Sequence, residues 1–459
     1  MAFSPNGNNK QPAGIPKWLV GLVDISLVNL GLYIAFFIVS GEVQGFQLEP
    51  LIFLLPLVSL ATVFLFSSLG LYSHQRSSFT TILRALITGV VGLTLLSILF
   101  AFWTRAFIFE RNIFIFAPLI QFALLLGWRI LYWRMELWIH GQKKLLVIGN
   151  RDEVNQALEK LMLLPKGMFE VIKVLEPAKI EEFYSWLPQT EAVMVAGFLD
   201  LEQKNKIMQE CFANNQEIFI VPDLYEIILT RSQMTQVHDT PMIESKEMQM
   251  NGLQLLLKRA FDLTLALLAL PVVLVLLAVV APAVRLSSPG PVIFKQERVG
   301  YRGKVFTLYK LRTMIVDAEG KSGPVFTSEE DDRVTGVGHL LRIARLDELP
   351  QLYNVLRGDL SIVGPRPERP YFVENFEREL PEYKLRHLVK PGITGLAQVA
   401  GHYATNTRDK LRYDLYYVID YSLLMDFRIL LLTVPTLFNR EAARGLSEEA
   451  LGRLTWPKS

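Results

Sequence analysis

The chain has 459 residues, 51% of them hydrophobic, and a mean hydropathy of +0.28, which excludes an ordinary soluble protein and points to an integral membrane protein with several domains. The net charge of +2 averages over unevenly placed charges and conceals basic membrane-flanking clusters; no nucleic-acid partner is expected. The single cysteine, Cys211, excludes an intramolecular disulfide or a cysteine metal cluster, and the six histidines lack the spacing of a zinc or iron site.

Residues 1–16 are polar and rich in Asn, Pro and Gly, so a disordered N-terminus is expected. Four apolar segments follow, near 18–40, 51–71, 82–104 and 113–133, each close to the roughly 20 residues that cross a bilayer. The first is too long for a signal-peptide core, so no cleaved signal is expected. These segments predict a four-helix transmembrane bundle over 17–140. Lys10, Lys17, Arg76, Arg84, Arg129, Arg134, Lys143 and Lys144 flank one side of it. Arg105 and Arg111 flank the other, beside Glu42, Glu49 and Glu110. Positive-inside asymmetry predicts that both ends of the bundle are cytoplasmic. Asp24, inside the first segment near its cytoplasmic end, is expected to be structural or snorkelling.

Short β runs then alternate with helical stretches. Strands are predicted at Lys144–Gly149, Phe169–Leu175, Ala192–Ala196 and Ile218–Val221, with helices at Asp152–Leu164 and Leu201–Asn214. This rhythm predicts an α/β, Rossmann-like parallel sheet over 141–222. The turn after the first strand, Gly149-Asn150-Arg151-Asp152-Glu153, has one glycine where a dinucleotide fingerprint needs three, and acids where pyrophosphate would lie. A degenerate domain without a bound cofactor is therefore expected. Residues 223–251 form a polar connector.

The region 252–459 opens on an apolar run, Leu263–Val284, long enough to span a bilayer. It is flanked by Lys258 and Arg259 on one side and by Arg285 and Lys295 on the other, which predicts that both ends stay cytoplasmic. Pro271 lies near the middle, and each half, about 16 Å of helix, reaches only the middle of the bilayer. These features predict a re-entrant helix–break–helix hairpin with its membrane break at Pro271. Two strands, Val292–Gln296 and Lys304–Lys310, are expected next, joined at Tyr301-Arg302-Gly303. An acidic loop follows around Glu329–Asp332. The stretch from Arg342 to Pro367 then predicts a short amphipathic helix entered through Asp347 and Glu348 and closed by Gly358. Carboxylates at a helix N-terminus are expected to be held ionised. Arg366, between two prolines, is suited to presenting a guanidinium to phosphate. A final apolar helix, Leu423–Phe438, carries Asp426 and Arg428 and is predicted to lie in the membrane interface.

Five motifs in this region, Phe294-Lys-Gln-Glu-Arg-Val-Gly300, Tyr309-Lys-Leu-Arg-Thr-Met314, Leu346-Asp-Glu-Leu-Pro-Gln-Leu-Tyr-Asn-Val-Leu356, Gly364-Pro-Arg-Pro367 and Lys390-Pro-Gly-Ile-Thr-Gly395, resemble those of the bacterial sugar transferases. These are monotopic polyprenyl-phosphate phosphoglycosyl transferases. The layout is similar to the large members that start capsule, O-antigen or exopolysaccharide repeat units. The resemblance implies a mostly α catalytic domain on the cytoplasmic face of the bacterial inner membrane, working on a UDP-sugar and undecaprenyl phosphate in the presence of inner-membrane lipids. It also implies a ping-pong reaction. Asp347 would attack the β-phosphate and release UMP, and Glu348 would bind Mg²⁺ beside it and serve as a base for the lipid phosphate. Lys310, Arg312, Arg342 and Arg366 would hold phosphates, and Asp414 would add a further acidic position. At the membrane break this chain has Leu270-Pro271 where small members have Ser-Pro. A homodimer is a further expectation. The alternatives are a membrane-anchored NAD-dependent nucleotide-sugar dehydratase or epimerase, which the missing glycines oppose, and a non-catalytic scaffold of polysaccharide assembly.

Overall fold

A computed structural model describes residues 15–40, 48–72, 79–103, 112–162, 169–197, 199–230, 232–245, 248–315, 333–400 and 406–437. Residues 1–14 of the expected tail, the acidic loop at Glu329–Asp332, and several charges of the orientation count (Lys10, Glu42, Arg76, Arg105, Glu110, Arg111) lie outside the described residues. The chain divides into two units, Met1–Val221 with Leu446–Ser459, and Pro222–Gly445.

In the first unit the apolar segments form α1 (Lys17–Ser40), α2 (Leu48–Ser68), α3 (Phe79–Trp103) and α4 (Ile113–His140). Among the described residues α1, α3 and α4 are long and apolar enough to cross a membrane, and Leu54–Ser68 of α2 is a shorter apolar stretch. Small and polar residues set the packing. A side-chain carbon at Gly31 would meet the Gln121 side chain at 2.7 Å, so α1 and α4 pack closely there, and the Gln121 amide donates to the Val28 carbonyl at 3.1 Å. Asp24 and Arg129 form a wholly buried ion pair between the same helices. Arg129, counted above among the flanking charges, is thus a partner inside the bundle.

The α/β segment follows as β1 (Lys143–Gly149), α5 (Arg151–Met162), β2 (Phe169–Leu175), α6 (Phe183–Trp186), β3 (Ala192–Ala196), α7 (Leu201–Ala213) and β4 (Glu217–Ile220). All four strands pair in parallel in the order β2-β1-β3-β4. Leu145 to Ile148 and Val193 are fully buried because a parallel sheet is covered on both faces. At Gly149 a Cβ would sit 1.7 Å from the Ala196 carbonyl oxygen, so the end of β1 closes directly onto β3.

The second unit begins at Pro222 and takes in the whole segment expected to be a connector. It holds α8 (Leu224–Leu229) and an antiparallel hairpin, β5 (Gln233–Val237) and β6 (Thr240–Glu244). Ile227 of α8 is buried with Val299, Val373 and Leu415, so this stretch is part of the unit's core. Next come α9 (Gly252–Ser287), β7 (Ile293–Val299), β8 (Val305–Leu311), α10 (Gly336–Ile343), α11 (Gln351–Arg357), β9 (Ser361–Val363), α12 (Pro370–Glu379), β10 (Gly392–Thr394), α13 (Leu396–Ala400), α14 (Thr407–Ile419) and α15 (Leu423–Leu437).

The break expected at Pro271 is absent. One helix runs from Gly252 to Ser287 with Pro271 and Pro282 inside it. Proline removes a single helix hydrogen bond, and packing on both sides of it holds the helix together. Ala266, Ala269, Leu270 and Val273 pack with Leu308, Leu352 and Val355, while Leu277, Val280 and Val284 pack with Leu311 and Leu341. This stripe recurs every three or four residues, so one face of α9 lies on its own unit along most of its length. On the other face Leu267, Leu268, Val272, Val275 and Val279 are 58–71% exposed.

The basic pair in the second turn of this helix also differs from its reading as a cytoplasmic flank. Lys258 is buried, 2.6 Å from Asp426 and 3.6 Å from Asp262. Arg259 donates to the Val355 and Leu356 carbonyls at 2.6 and 2.8 Å, satisfying the end of α11. Asp426 is fully buried and also accepts the Tyr417 hydroxyl at 2.8 Å. The α15 face that bears it therefore belongs to the core and not to the membrane interface. Removing one partner of a buried ion pair leaves an uncompensated charge. Lys258→Ala is accordingly expected to cost about 3–5 kcal/mol, read as a lowered melting temperature of the detergent-solubilised chain.

Candidate active site

The site is assembled around the end of β8. The buried side-chain amide of Asn354 accepts from the Tyr309 N–H at 3.1 Å and donates to the Thr307 carbonyl at 2.7 Å, fastening α11 to β8. A Cβ at Gly338 would lie 2.1 Å from the Thr313 carbonyl oxygen, so α10 sits directly on the backbone that follows β8. Its last turn then brings the Arg342 Nε within 2.8 Å of the Thr313 hydroxyl. Arg345 adopts a left-handed conformation at φ 52°, reversing the chain into a 3-10 turn, Leu346–Glu348. The acidic pair is therefore presented one turn ahead of α11, and neither carboxylate caps that helix.

The proline-flanked arginine comes from the opposite side. Strands β9 and β10 pair in parallel. Gly364 N–H donates to the Thr394 carbonyl at 2.8 Å, and Gly392 N–H donates to the Pro365 carbonyl at 3.0 Å. A Cβ at Gly364 would meet the Lys390 carbonyl oxygen at 2.4 Å, so the glycines of the two motifs permit this backbone contact. From that support an Arg366 terminal nitrogen donates to Glu348 Oε1 at 2.8 Å. Lys310 Nζ lies 3.6 Å from the same oxygen.

The two adjacent acids differ electrostatically. Burial alone would raise the Glu348 carboxyl, but the charges of Arg366 and Lys310 and the Arg366 hydrogen bond outweigh it and hold the group at about 2. The Asp347 pKa is raised from the ordinary aspartate value, first by burial and then by the Glu348 charge, with Lys310, Arg342 and Arg366 opposing. Glu348 is thus held ionised by arginine and lysine, not by a helix N-terminus, and Asp347 is the more basic of the pair. A carboxylate at about 2 is a poor proton acceptor near neutrality, which disfavours the base role for Glu348. If Asp347 must be ionised to react, the acid limb of activity is expected above the pKa of an ordinary aspartate. Glu348 adds no limb until near pH 2; a pH–rate profile of the first half-reaction checks this.

The structure brings Lys310, Arg366 and the acidic pair together, with the Arg342 charge acting on Asp347. It directs Arg312 elsewhere, since that side chain is buried and donates to the Ser288 carbonyl at 2.7 Å, beyond the end of α9. Asp414 is buried in an ion pair 2.7 Å from Arg386. Arg386 was not singled out by sequence reasoning. It donates to the Arg366 carbonyl at 2.8 Å, so it positions the proline-flanked turn and Asp414 balances its charge. Arg298, in the first motif, is a second support, donating to the Pro367 carbonyl at 2.8 Å. Arg298 lies within the first motif, which is the signal that could have marked it, whereas Arg386 lies outside all five motifs and carries no such mark.

Among the described residues no group of three or more metal-ligating side chains occurs. Two carboxylates nevertheless suit Mg²⁺, which takes one or two protein carboxylates with the rest of its shell from water and substrate phosphates. Glu348 is fully ionised, and its Oε1 is the atom that Arg366 and Lys310 approach. Its other oxygen and Asp347 are the donors such an ion would use.

Residues 253–440 match the family model for bacterial sugar transferase. The chain is 36% identical over 242 residues to a UDP-N-acetylgalactosamine-undecaprenyl-phosphate N-acetylgalactosaminephosphotransferase of Aeromonas hydrophila, covering 52% of this chain and 56% of that protein. It is 39% identical over 243 residues to a UDP-glucose:undecaprenyl-phosphate glucose-1-phosphate transferase of Escherichia coli K12, covering 52% of each. The alignments thus span about half the length of these two relatives. Against the exopolysaccharide production protein PSS of Rhizobium leguminosarum, identity is 42% over 196 residues, covering 41% of this chain and 98% of that protein. With the α9–α15 unit carrying the match across nearly the whole of a relative, the chain belongs to the bacterial sugar transferase family.

Proposed function

We propose that the protein transfers a sugar-1-phosphate from a UDP-sugar to undecaprenyl phosphate, as the first membrane step in making an exopolysaccharide, capsule or O-antigen. The observation that carries this reading is Asp347, more basic than its neighbour, beside three cations from β8, α10 and the Pro365–Pro367 turn. An Asp347 oxygen bonds to the β-phosphorus as the bond from that phosphorus to the bridging oxygen breaks, and UMP leaves with the electron pair. A phosphate oxygen of undecaprenyl phosphate then attacks the same phosphorus and restores the carboxylate, giving the diphosphate-linked sugar. Lys310, Arg342 and Arg366 hold the phosphate oxygens and offset their charge. When bound at Asp347 and Glu348, Mg²⁺ supplies further charge neutralisation at the diphosphate.

Both ends of α9 carry contacts to one unit, Arg259 to α11 and Val284 to Leu311, which supports a helix that lies along one membrane face with both ends on the same side. The exposed apolar face of α9 supports its immersion, and the reading places the catalytic unit on the cytoplasmic side of the inner membrane. A homodimer belongs to the same proposal, supported by the exposed Met234, Val237, Met242 and Ile243 of the β5–β6 hairpin. Mass measurement in detergent tests it, and a monomer alone would remove it.

The test of the reaction is UMP release by the purified chain with Mg²⁺ across a panel of UDP-sugars. Without lipid acceptor a burst near one equivalent is expected, becoming continuous when undecaprenyl phosphate is added. Release only when the acceptor is present would instead indicate direct transfer.

A further inference from the structure

At the opposite end of α11 from the acidic pair is a cavity of about 260 Å³, lined among others by Leu255, Lys258, Arg259, Asp262, Tyr301 and Lys390. The seven residues of α11 separate the two places by about 10 Å of helix. The charges around this cavity are unbalanced. Lys258 has Asp426 and Asp262 as partners, and the Asp262 carboxylate is further occupied by the Ser361 hydroxyl at 2.9 Å and the Ile362 N–H at 3.1 Å. Arg259 meets only the neutral Val355 and Leu356 carbonyls. Lys390 has neither a hydrogen bond nor an ion pair among the described residues, and nearby Asp359 is paired with Arg357 at 3.3 Å.

Arg259 and Lys390, neither in an ion pair among the described residues, converge. A side chain at Gly358 would begin 3.6 Å from both an Arg259 terminal nitrogen and the Lys390 ammonium. The helix C-terminus beneath them accounts for part of this arrangement, since its carbonyls favour positive charge. One arginine already satisfies those carbonyls, which leaves Lys390 unexplained. Burial and the Arg259 charge lower the Lys390 pKa, with the Asp262 and Asp359 charges opposing, a penalty that an anion in the cavity would relieve.

Position and size narrow the ligand. Leu253, Leu256 and Leu257, beside the cavity residues on α9, are 64, 66 and 43% exposed, the start of the helix's uncovered apolar face. The volume falls below the roughly 300–1,000 Å³ of pockets that enclose drug-sized ligands, so it suits a small headgroup better than a nucleotide sugar. We propose that the Arg259–Lys390 cavity is a second anion site, separate from the acidic pair, that binds a phosphate group such as the phosphodiester of an anionic membrane lipid.

The test uses the full chain in detergent, titrated with short-chain phosphatidylglycerol, short-chain phosphatidylcholine or inorganic phosphate while the melting temperature is followed. A saturable rise with phosphatidylglycerol and none with phosphatidylcholine is expected. Lys390→Gln and Lys390→Ala are each expected to weaken the response about tenfold, the size of one lost charge-assisted contact. Lys390→Arg is expected to retain it, and ligand-free melting curves establish that each variant is folded. A Lys390-dependent response to inorganic phosphate alone would support the site and place its ligand in solution. Equal responses to the two lipids, or folded Lys390→Gln and Lys390→Ala chains responding as the native one, would overturn the proposal.

Discussion

Replacing Asp347 with asparagine is expected to abolish UMP release while raising the melting temperature. The loss follows from chemistry: an amide cannot form the acyl phosphate, and removal of a covalent nucleophile costs on the order of 10⁴-fold or more. The gain follows from linkage. Asp347 has a folded pKa above its unfolded value, so its ionisation above that pKa works against the fold. Its side chain accepts no hydrogen bond among the described residues, so asparagine removes the unfavourable charge without breaking a native contact. Glu348→Gln should behave oppositely. The Glu348 pKa is depressed, so it contributes stability that is present above the unfolded carboxylate pKa and lost as pH falls toward about 2. Glutamine forfeits that contribution and leaves Arg366 without its anion. Turnover and melting temperature measured on both variants separate the acids. A destabilised Asp347→Asn or a stabilised Glu348→Gln would contradict the electrostatic assignment, whatever their activities.

The secondary structure of the α/β segment was legible because its strands are short, buried and punctuated by helices with acidic starts. The pairing of β7 with β8 was equally plain from the Tyr301-Arg302-Gly303 turn. The acidic pair and its cations stood out because chemistry-bearing residues cluster at glycine and proline punctuation. Partnerships across the fold were not legible. Lys258 and Asp426 are 168 residues apart, and each looks like a membrane-flanking or interfacial charge until the core closes around both. Asp414 entered as a candidate through the resemblance, as a further acidic position, yet α14 buries it against Arg386. Pro271 suggested a break because sequence shows the missing donor but not the packing on either side of it. The β5–β6 hairpin escaped notice because its two short strands mix polar and apolar residues without a regular alternation.

Arg366→Ala is the second large effect expected, and its signature lies in the pH profile as much as in the rate. Arg366 makes the closest contact to Glu348, and its charge is the largest influence holding that carboxyl down against burial. Losing a preorganised donor at a developing phosphate charge costs about 10²–10³-fold. Loss of the guanidinium also lets burial act on Glu348 unopposed by its main partner, so the Glu348 pKa rises. A second acid limb should then enter the profile, steeper than the single Asp347 limb of the native chain. Lysine keeps a charge but not the planar fork, so Arg366→Lys should restore the profile more fully than the rate. Arg386→Met tests the support beneath: without its bond to the Arg366 carbonyl the turn loosens, and Asp414 is left buried without its partner. That variant should lose stability together with activity, whereas Arg386→Met with Asp414→Asn should recover stability and leave the rate depressed. Recovery of both would show that Arg386 holds the fold without positioning Arg366.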